Sequence, residues 1–347
     1  MFDRYRDGLE GELRAAISAP QADSVQVDPP LAFYTMLQYH MGWADERGRP
    51  LAVPMAQGKA LRPTLCLFAC EALNEDWGVA LPAASALEFI HNFSLIHDDI
   101  QDGDLERRHR PTVWSLWGQP MALMAGNAMR QIADITAMGL AERGVPEEKA
   151  LRASFLLTSG YLEMTKGQCM DLVFEGSLDI RLEDYLAMIS WKTGALIRCG
   201  MEMGALVASD QTDFVQAFAH CGSFLGLAFQ IRDDVLGTWG DEATTGKAVG
   251  NDIRRRKKTF PIVYALQVAG DPARRKLVDA YSKSELDDRD ADDVLTVLEE
   301  LNVAEYAQEV TSQRADRALG ELDCVPLSSW ARREIEDLVD FLTTRQY

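Results

Sequence analysis

Two aspartate clusters govern what this chain can fold into. The first is Asp98-Asp99-Ile100-Gln101-Asp102, and the second is Asp233-Asp234, followed by Val235, Leu236 and Gly237. Each closes an apolar run with helical spacing, Ala86 to Ile96 and Phe224 to Ile231. Carboxylates at the end of such a run are costly unless something neutralises them. On a helix, positions i, i+1 and i+4 project from nearby parts of one surface. Asp98, Asp99 and Asp102 can therefore offer several oxygens to one hard cation or a close cluster. Magnesium takes such ligands and commonly shares its shell with substrate phosphates. Two clusters facing one another would cage a magnesium diphosphate. The plainer alternative is two solvated acidic helix ends, and the cations described below argue against it.

The length of 347 residues allows one large domain or two ordinary ones. No composition break marks a linker and no internal period marks a solenoid, so a single domain over 1–347 is expected. Three- and four-residue apolar spacing is widespread and strand-like alternation is scarce, so the chain reads as all-α. Expected helices are Tyr5–Ala16, Leu31–Met41, Leu61–Leu73, Ala83–Asp99, Met121–Arg143, Glu147–Phe174, Leu182–Ala208, Asp213–Leu236, Thr259–Gln267, Ala291–Leu319 and Leu327–Thr344. Pro20 to Pro30, Asp102 to Thr112 and Gly237 to Asp252 read as loops.

A net charge of −19 argues against nonspecific nucleic-acid binding, because a polyanion is repelled. It leaves room for an anionic small substrate where metal ions and local cations line the site. The six cysteines form no Cys-x-x-Cys pair, and the five histidines add no zinc spacing. Reduced thiols, and a charged stretch from Met1 to Arg14 in place of a signal peptide, suggest the cytoplasm. No run of about 18 uncharged apolar residues is present, so no transmembrane segment is expected.

Cations accompany the carboxylates. Lys59 and Arg62 stand three apart in Gly58-Lys59-Ala60-Leu61-Arg62-Pro63, at the start of an apolar helix. That spacing brings them to one side, where a helix N-terminus can hold a diphosphate. Arg107-Arg108 follows the first acidic cluster, Lys192 opens a Lys-Thr-Gly-Ala stretch, and Lys247, Lys257 and Lys258 follow the second cluster. Taken singly, each reads as a solvated surface charge. Together they suit one diphosphate held through magnesium and another held directly by cations.

In these motifs the chain resembles the trans-type isoprenyl diphosphate synthases, or polyprenyl synthetases. The carrying segments are Gly58 to Pro63, His91-Asn92-Phe93-Ser94-Leu95-Ile96-His97-Asp98-Asp99-Ile100-Gln101-Asp102 and Arg107-Arg108. Further along come Gly167-Gln168 with Asp171, Lys192-Thr193-Gly194, Phe229-Gln230-Ile231-Arg232-Asp233-Asp234, and Gly246-Lys247 through Lys257-Lys258-Thr259. Order and spacing agree from Gly58 to Ala265.

The resemblance implies long antiparallel helices around a deep central cavity, a homodimer, and head-to-tail condensation of isopentenyl diphosphate with an allylic diphosphate. It implies a short-chain product of the geranylgeranyl or farnesyl diphosphate type and three magnesium ions. It assigns Asp98, Asp99, Asp102 and Asp233 to the metals, with Asp234 helping. Arg107, Lys192 and Lys257 would meet the allylic diphosphate, with Lys247, Gln230 and Thr193 nearby. Lys59, Arg62, His91 and Arg108 would hold isopentenyl diphosphate. Phe93, five residues before Asp98, is expected to floor the product cavity. One such aromatic stopper, with small Ser94 beside it, points to a C20 product first and C15 second. His97 is expected to be structural.

Two positions depart from the family pattern. The second cluster usually ends in a third aspartate, where this chain has Gly237, and Asn127 stands where an aspartate usually follows Gly126. Two other readings were weighed. A class I terpene cyclase would need an Asn/Ser/Glu metal motif, which Asn251-Asp252 does not begin, and would have no purpose for Lys59, Arg62 and Arg108. A non-catalytic regulatory subunit would be expected to lose its aspartates.

Overall fold

The computed structural model describes residues 1–17, 33–52, 58–240 and 250–344. Its described residues are overwhelmingly helical, as the apolar spacing demands. The elements are α1 (Phe2–Ala16), α2 (Phe33–His40), α3 (Leu61–Leu73), α4 (Leu81–Gln101), a hairpin of β1 (Glu106–Arg107) and β2 (Arg110–Pro111), α5 (Val113–Trp117), α6 (Gln119–Glu142) and α7 (Glu147–Glu175). They continue with α8 (Leu182–Ile189), a π-helical turn (Ser190–Gly194), α9 (Ala195–Ala208), α10 (Thr212–Trp239) and α11 (Asn251–Arg254). The last are α12 (Phe260–Val268), α13 (Asp271–Tyr281), α14 (Asp288–Glu300), α15 (Val303–Glu321) and α16 (Ser329–Thr344). Backbone contacts group these into two compact units, one of Met1–Thr158 with Gly200–Thr212, the other of Ser159–Cys199 with Asp213–Tyr347.

In the first unit α4 is the central element. It starts with a proline in its first turn and is buried on nearly all sides, as expected of a helix apolar all round. It packs along α6 and against α3. The residues Gly200 and Gly204, one turn apart, let α9 reach the backbone of α3. A Cβ at Gly204 would lie 2.0 Å from the Cys66 carbonyl oxygen, and one at Gly200 would lie 3.0 Å from that of Arg62. That close approach fixes the helix on which Arg62 stands.

In the second unit one apolar cluster joins Ile253, Ile262, Leu277, Tyr281, Ala291, Val297 and Val303. Another joins Leu182, Tyr185, Ile189, Ile231, Phe260, Val263 and Ala307. The rings of Tyr264 and Tyr306 stack beside the second at 4.0 Å.

Four features differ from the expectations. The helix expected over Ala291–Leu319 is two helices, because Asn302 takes a left-handed conformation with φ 50°. The second begins there, and the first gains a capping box from Asp287 and Asp290. The charged connector after Asp102 contains the short hairpin, and the helix Asp271–Tyr281 was not expected. Two described helices, Trp77–Gln101 and Thr212–Trp239, are long and apolar enough to cross a membrane, where the sequence suggested none. Within the protein, 72% and 56% of an 18-residue apolar window in each are buried.

Candidate active site

The first acidic cluster closes α4. Asp98 and Asp102 stand one turn apart, and the Asp102 N–H donates to the Asp98 carbonyl at 2.8 Å. Asp99 points elsewhere. It is 1% exposed and accepts a hydrogen bond from Arg107 Nε at 2.7 Å. Burial raises its carboxyl to about 6, against the pull of Arg107. Here Asp99 anchors the hairpin arginine. Successive helical positions diverge by about 100°, so Asp98 and Asp99 leave the axis in different directions.

That arginine sits in a strained turn. Arg107 pairs with Arg110, and the two residues between them, Arg108 and His109, both have positive φ of 52° and 60°. Two-residue hairpin turns of this kind normally use Asn-Gly. At the start of α3, Ala60 is likewise left-handed with φ 46°. Non-glycine residues in this region cost of order 1 kcal/mol or more each and cluster at functional sites. Here both turns present cations. The Arg108 guanidinium reaches Gly58, where a Cβ would lie 3.0 Å from its Nη2. Lys59 is exposed beside it.

Arg62, Arg107 and Arg108 all act on His91, whose imidazole burial and those charges hold well below its usual range. Lys59, Arg62, His91 and Arg108 are thus gathered in one unit, as the motif order implied. Three more residues join them that sequence reasoning missed. Glu88 accepts from Asn92 Nδ2 at 2.9 Å, and burial raises its carboxyl despite nearby Arg62 and Arg108. His40, from α2, is lowered to about 3 by burial and then by Arg107 and Arg108. Among the described residues its buried Nε2 meets no hydrogen-bond partner, while Asn92 hydrogen-bonds the ring. Glu88 and Asn92 share a face with His91 and could have been suspected; His40 carries no signal in the sequence. A cavity of about 220 Å³ adjoins, with His40, Asp99, Arg107 and Arg108 in its wall.

Below the cluster Phe93 is buried at 7% exposure, its ring centroid 4.5 Å from that of His97. Gly126 on α6 makes room for His97, since a Cβ there would lie 2.4 Å from His97 Nε2. His97 therefore packs between helices.

In the second unit the π-helical turn carries Lys192, Thr193 and Gly194, a distortion common at functional sites. Glycines crowd around it. A Cβ at Gly167 would lie 2.2 Å from Lys192 N, and one at Gly226 would lie 2.5 Å from Gly194 Cα. Lys192 pairs with Asp171, one turn beyond Gly167 on α7. Thr193 Oγ1 donates to Gln230 Oε1 at 2.6 Å.

The second acidic cluster ends α10. Asp233 is exposed, while Asp234 is 5% exposed and fully engaged by protein donors. It accepts from the Tyr185 hydroxyl, from Phe260 N at 2.9 Å and from Gln230 Nε2 at 2.9 Å. Burial pushes its carboxyl up to about 7 even against these bonds. At Gly237 a Cβ would lie 1.9 Å from Asp252 Oδ2. The space of the missing third aspartate is filled by the Asp252 carboxylate, a residue the sequence reading passed over. Lys257 is exposed, whereas Lys258 is buried, its Nζ donating to the Glu175 carbonyl at 3.3 Å over the Tyr281 ring. Lys247 and Asp241 lie outside the described residues.

Among the described residues no three His, Cys, Asp or Glu side chains gather closely enough to hold a metal alone. Magnesium is typically bound by one or two carboxylates together with substrate phosphates. Asp98 with Asp102, and Asp252 at the place of the missing third aspartate, have that chemistry.

The polyprenyl synthetase family model matches residues 49–299. The chain is 36% identical to the (2E,6E)-farnesyl diphosphate synthase of Mycobacterium tuberculosis H37Rv over 342 residues, 98% of this chain and 92% of that one. It is 42% identical to that organism's geranylgeranyl diphosphate synthase over 244 residues, 70% of this chain and 67% of that one. The crystal structure of a polyprenyl synthetase from Streptomyces coelicolor A3(2) superposes with a TM-score of 0.87 at 32% identity, covering 98% of each chain.

Proposed function

The chain belongs to the polyprenyl synthetase family and has its all-α fold, and from that premise we propose how its residues perform the reaction. The protein is a short-chain prenyltransferase that joins isopentenyl diphosphate to an allylic diphosphate. The observation that carries the assignment of roles lies on α4 and its neighbours. His91, in the arginine pocket, and Asp98 stand seven residues apart on one helix, about 10.5 Å along its axis. One helix thus serves a cation-held diphosphate and a carboxylate-and-metal-held one. A cyclase would need only the latter.

Lys59, Arg62, His91 and Arg108 hold isopentenyl diphosphate. With its imidazole neutral, His91 adds a hydrogen bond without adding charge. Asp98 and Asp102 in the first unit, and Asp233 and Asp252 in the second, are the carboxylates that would hold magnesium, three ions by the family's pattern. Magnesium, when bound, supplies positive charge to the departing diphosphate. Arg107, Lys192 and Lys257, with Lys247, would add positive charge to the departing diphosphate. The carbon–oxygen bond of the allylic substrate breaks, and the double bond of isopentenyl diphosphate attacks the allylic cation. A proton leaves, with the released diphosphate as its acceptor, and the product is five carbons longer. Phe93 floors the cavity, and we assign a C20 product, with C15 second.

A homodimer is proposed from exposed apolar side chains of the first unit. Leu123, Met124, Ile135 and Met138 of α6, and Leu151 and Phe155 of α7, face outward. Such patches are covered by partners, and light scattering should read twice the 38.6 kDa of one chain. The cytoplasm is proposed as its location, and a membrane-bound pool on fractionation would oppose that.

The test is incubation of pure protein with isopentenyl diphosphate, an allylic primer and magnesium. Longer diphosphates are expected; cyclic hydrocarbons or no product would overturn the reading. Arg62→Ala should raise KM for isopentenyl diphosphate by ~10-fold or more, a charge-assisted contact being lost, with little change for the primer. Equal effects on both would remove Arg62 from the pocket.

A further inference from the structure

Five cations follow one another from Arg254 to Lys258. Like charges this close repel, and without other partners each side chain would spread into solvent. The fold sorts them instead. Arg254 ends α11, and its Nε donates to Asp288 Oδ1 at 3.0 Å. Arg256 is left-handed, with φ 55°. Its N–H donates to the Ile253 carbonyl at 2.7 Å, and the Lys257 N–H donates to the Asp252 carbonyl at 2.9 Å. This pair of bonds around a left-handed residue closes a helix C-terminus, and the left-handed place normally belongs to glycine. A residue with a Cβ is strained there.

What the Arg256 guanidinium reaches offsets that strain. Nη2 donates to the Tyr281 carbonyl at 3.2 Å and Nη1 to the Ser284 carbonyl at 3.3 Å. Tyr281 ends α13, where the last carbonyls lack partners inside the helix and carry its negative dipole end. Tyr281 is itself 1% exposed. Its hydroxyl donates to the Lys257 carbonyl at 3.4 Å, and its ring lies 4.8 Å from Lys258 Nζ. Three successive residues, 256 to 258, thus close around one buried tyrosine. Lys258 is turned inward, while Lys257 between its neighbours stays exposed, its backbone bonded at both N–H and carbonyl.

We propose that Arg256 is a positioning residue, which fastens the Lys257 turn to the end of α13 and so fixes where that lysine meets the departing diphosphate. The inference rests on the reading above, in which Lys257 contacts that group. A lysine side chain is a point charge on a flexible four-carbon stem. Its backbone is therefore the part that the fold can hold still. Cations in place before the bond breaks stabilise the leaving charge without reorganisation. Arg256 does this through the main chain, with its own guanidinium spent on α13. The same turn carries Asp252, so one motif sets both the lysine and the carboxylate in the gap at Gly237.

The test is a double-mutant cycle with Lys257, read as kcat per folded molecule. Lys257→Ala should lower kcat by ~10²-fold, the usual loss for one electrostatic group. Arg256→Gly keeps the left-handed turn allowed but removes both guanidinium bonds. It should lower kcat by ~10-fold, since moving a catalytic group by about 1 Å can cost ~10²-fold. KM for isopentenyl diphosphate should change less than about twofold, that substrate being held elsewhere. In the Lys257→Ala background Arg256→Gly should change kcat less than about twofold, because two changes that act through one contact are not additive. Arg256→Lys keeps a donor for the α13 carbonyls and should recover most of the turnover that Arg256→Gly loses.

Equal losses from Arg256→Gly in both backgrounds would overturn the proposal, because the arginine would then serve the fold at large. Full turnover per folded molecule in Arg256→Gly would overturn it as well. Should that variant not fold, Tyr281→Phe carries the same cycle, since it removes only the hydroxyl that meets the Lys257 carbonyl. Its smaller loss should likewise vanish in the Lys257→Ala background, and a loss that persists there counts against the proposal. Unchanged turnover in Lys257→Ala alone would instead remove Lys257 from the proposed function and this inference with it, so the two failures are distinguishable.

Discussion

The two acidic clusters are built alike in one respect and unlike in another. In each, the first aspartate of the pair lies on a less buried face and the second is turned inward. Asp99 is taken by Arg107, and Asp234 by Tyr185, Phe260 N and Gln230. The pair Asp-Asp on a helix is thus a less buried carboxylate, the proposed ligand, followed by an anchor, since the two side chains leave the axis in different directions. The clusters differ in the third member. In the first it is Asp102, one turn on along the same helix. In the second that place is Gly237, and the carboxylate comes from Asp252 on α11. A carboxylate position can be filled in space by a residue distant in the chain.

The largest expected effect tests the ligand-and-anchor division. Asp98→Ala should reduce kcat/KM by more than ~10³-fold, since one electrostatic contact is worth ~10²–10³ and a metal site more. Asp98→Asn should raise the magnesium requirement strongly, and Asp99→Asn should not. Metal titrations of activity and of thermal stability with inorganic diphosphate would read both. Equal shifts would dissolve the distinction.

The next effect breaks the comparison at its third member. Gly237→Asp gives the sequence its usual motif but drives a Cβ into Asp252. Activity should fall by about tenfold or more, and stability by about 1–3 kcal/mol, as in other overpacked sites. The paired change Gly237→Asp/Asp252→Gly should recover part of the loss. A gain in activity from Gly237→Asp alone would show that Asp252 does not occupy that place.

A subtler contrast lies beneath the first cluster, where Phe93 packs on His97. Phe93→Ala should lengthen products by at least one isoprene unit while leaving the carboxylates untouched. Large-to-small changes of this kind cost ~3–5 kcal/mol, so folded protein must be confirmed. Chromatography of dephosphorylated products decides it, and an unchanged distribution from an active variant would move the floor elsewhere.

The smallest effect is on acid stability, and it separates the imidazole-lined first site from the second. His40 has its folded value lowered to about 3 by burial, against 6.5 for an ordinary imidazole. Between those values the unfolded chain binds a proton that the folded one refuses, so stability falls as pH drops from 6.5 toward 3. At pH 5 the loss should be of order 2 kcal/mol. His40→Asn should flatten the difference in Tm between pH 7 and pH 5. An identical slope in the variant would mean that His40 is not held neutral.

Much of the site was legible because its residues are close in sequence. Asp98 and Asp102, and Lys192 and Thr193, each sit within one turn of a single helical stretch, and helical spacing alone places them together, whereas Lys59 precedes α3 with left-handed Ala60 between it and Arg62. The break at Asn302 was not legible, because apolar spacing carries through it and only the left-handed φ reveals it. His40 was invisible for a different reason. It lies on α2, beyond the matched region, and reaches the arginine pocket only through folding.

The order and spacing of acidic and basic motifs determined the family and which charged residues are available to its chemistry, because phosphate and metal binding require those charges whatever surrounds them. The apolar period determined the helices that carry them. What tertiary structure decided was the direction of each group. It turned Asp99 and Asp234 into anchors, oriented the Gln230 amide, pinned Lys258 over Tyr281 and placed Asp252 in the gap at Gly237. A sequence specifies which donors and acceptors exist; which of them meet depends on helices brought together from far apart in the chain.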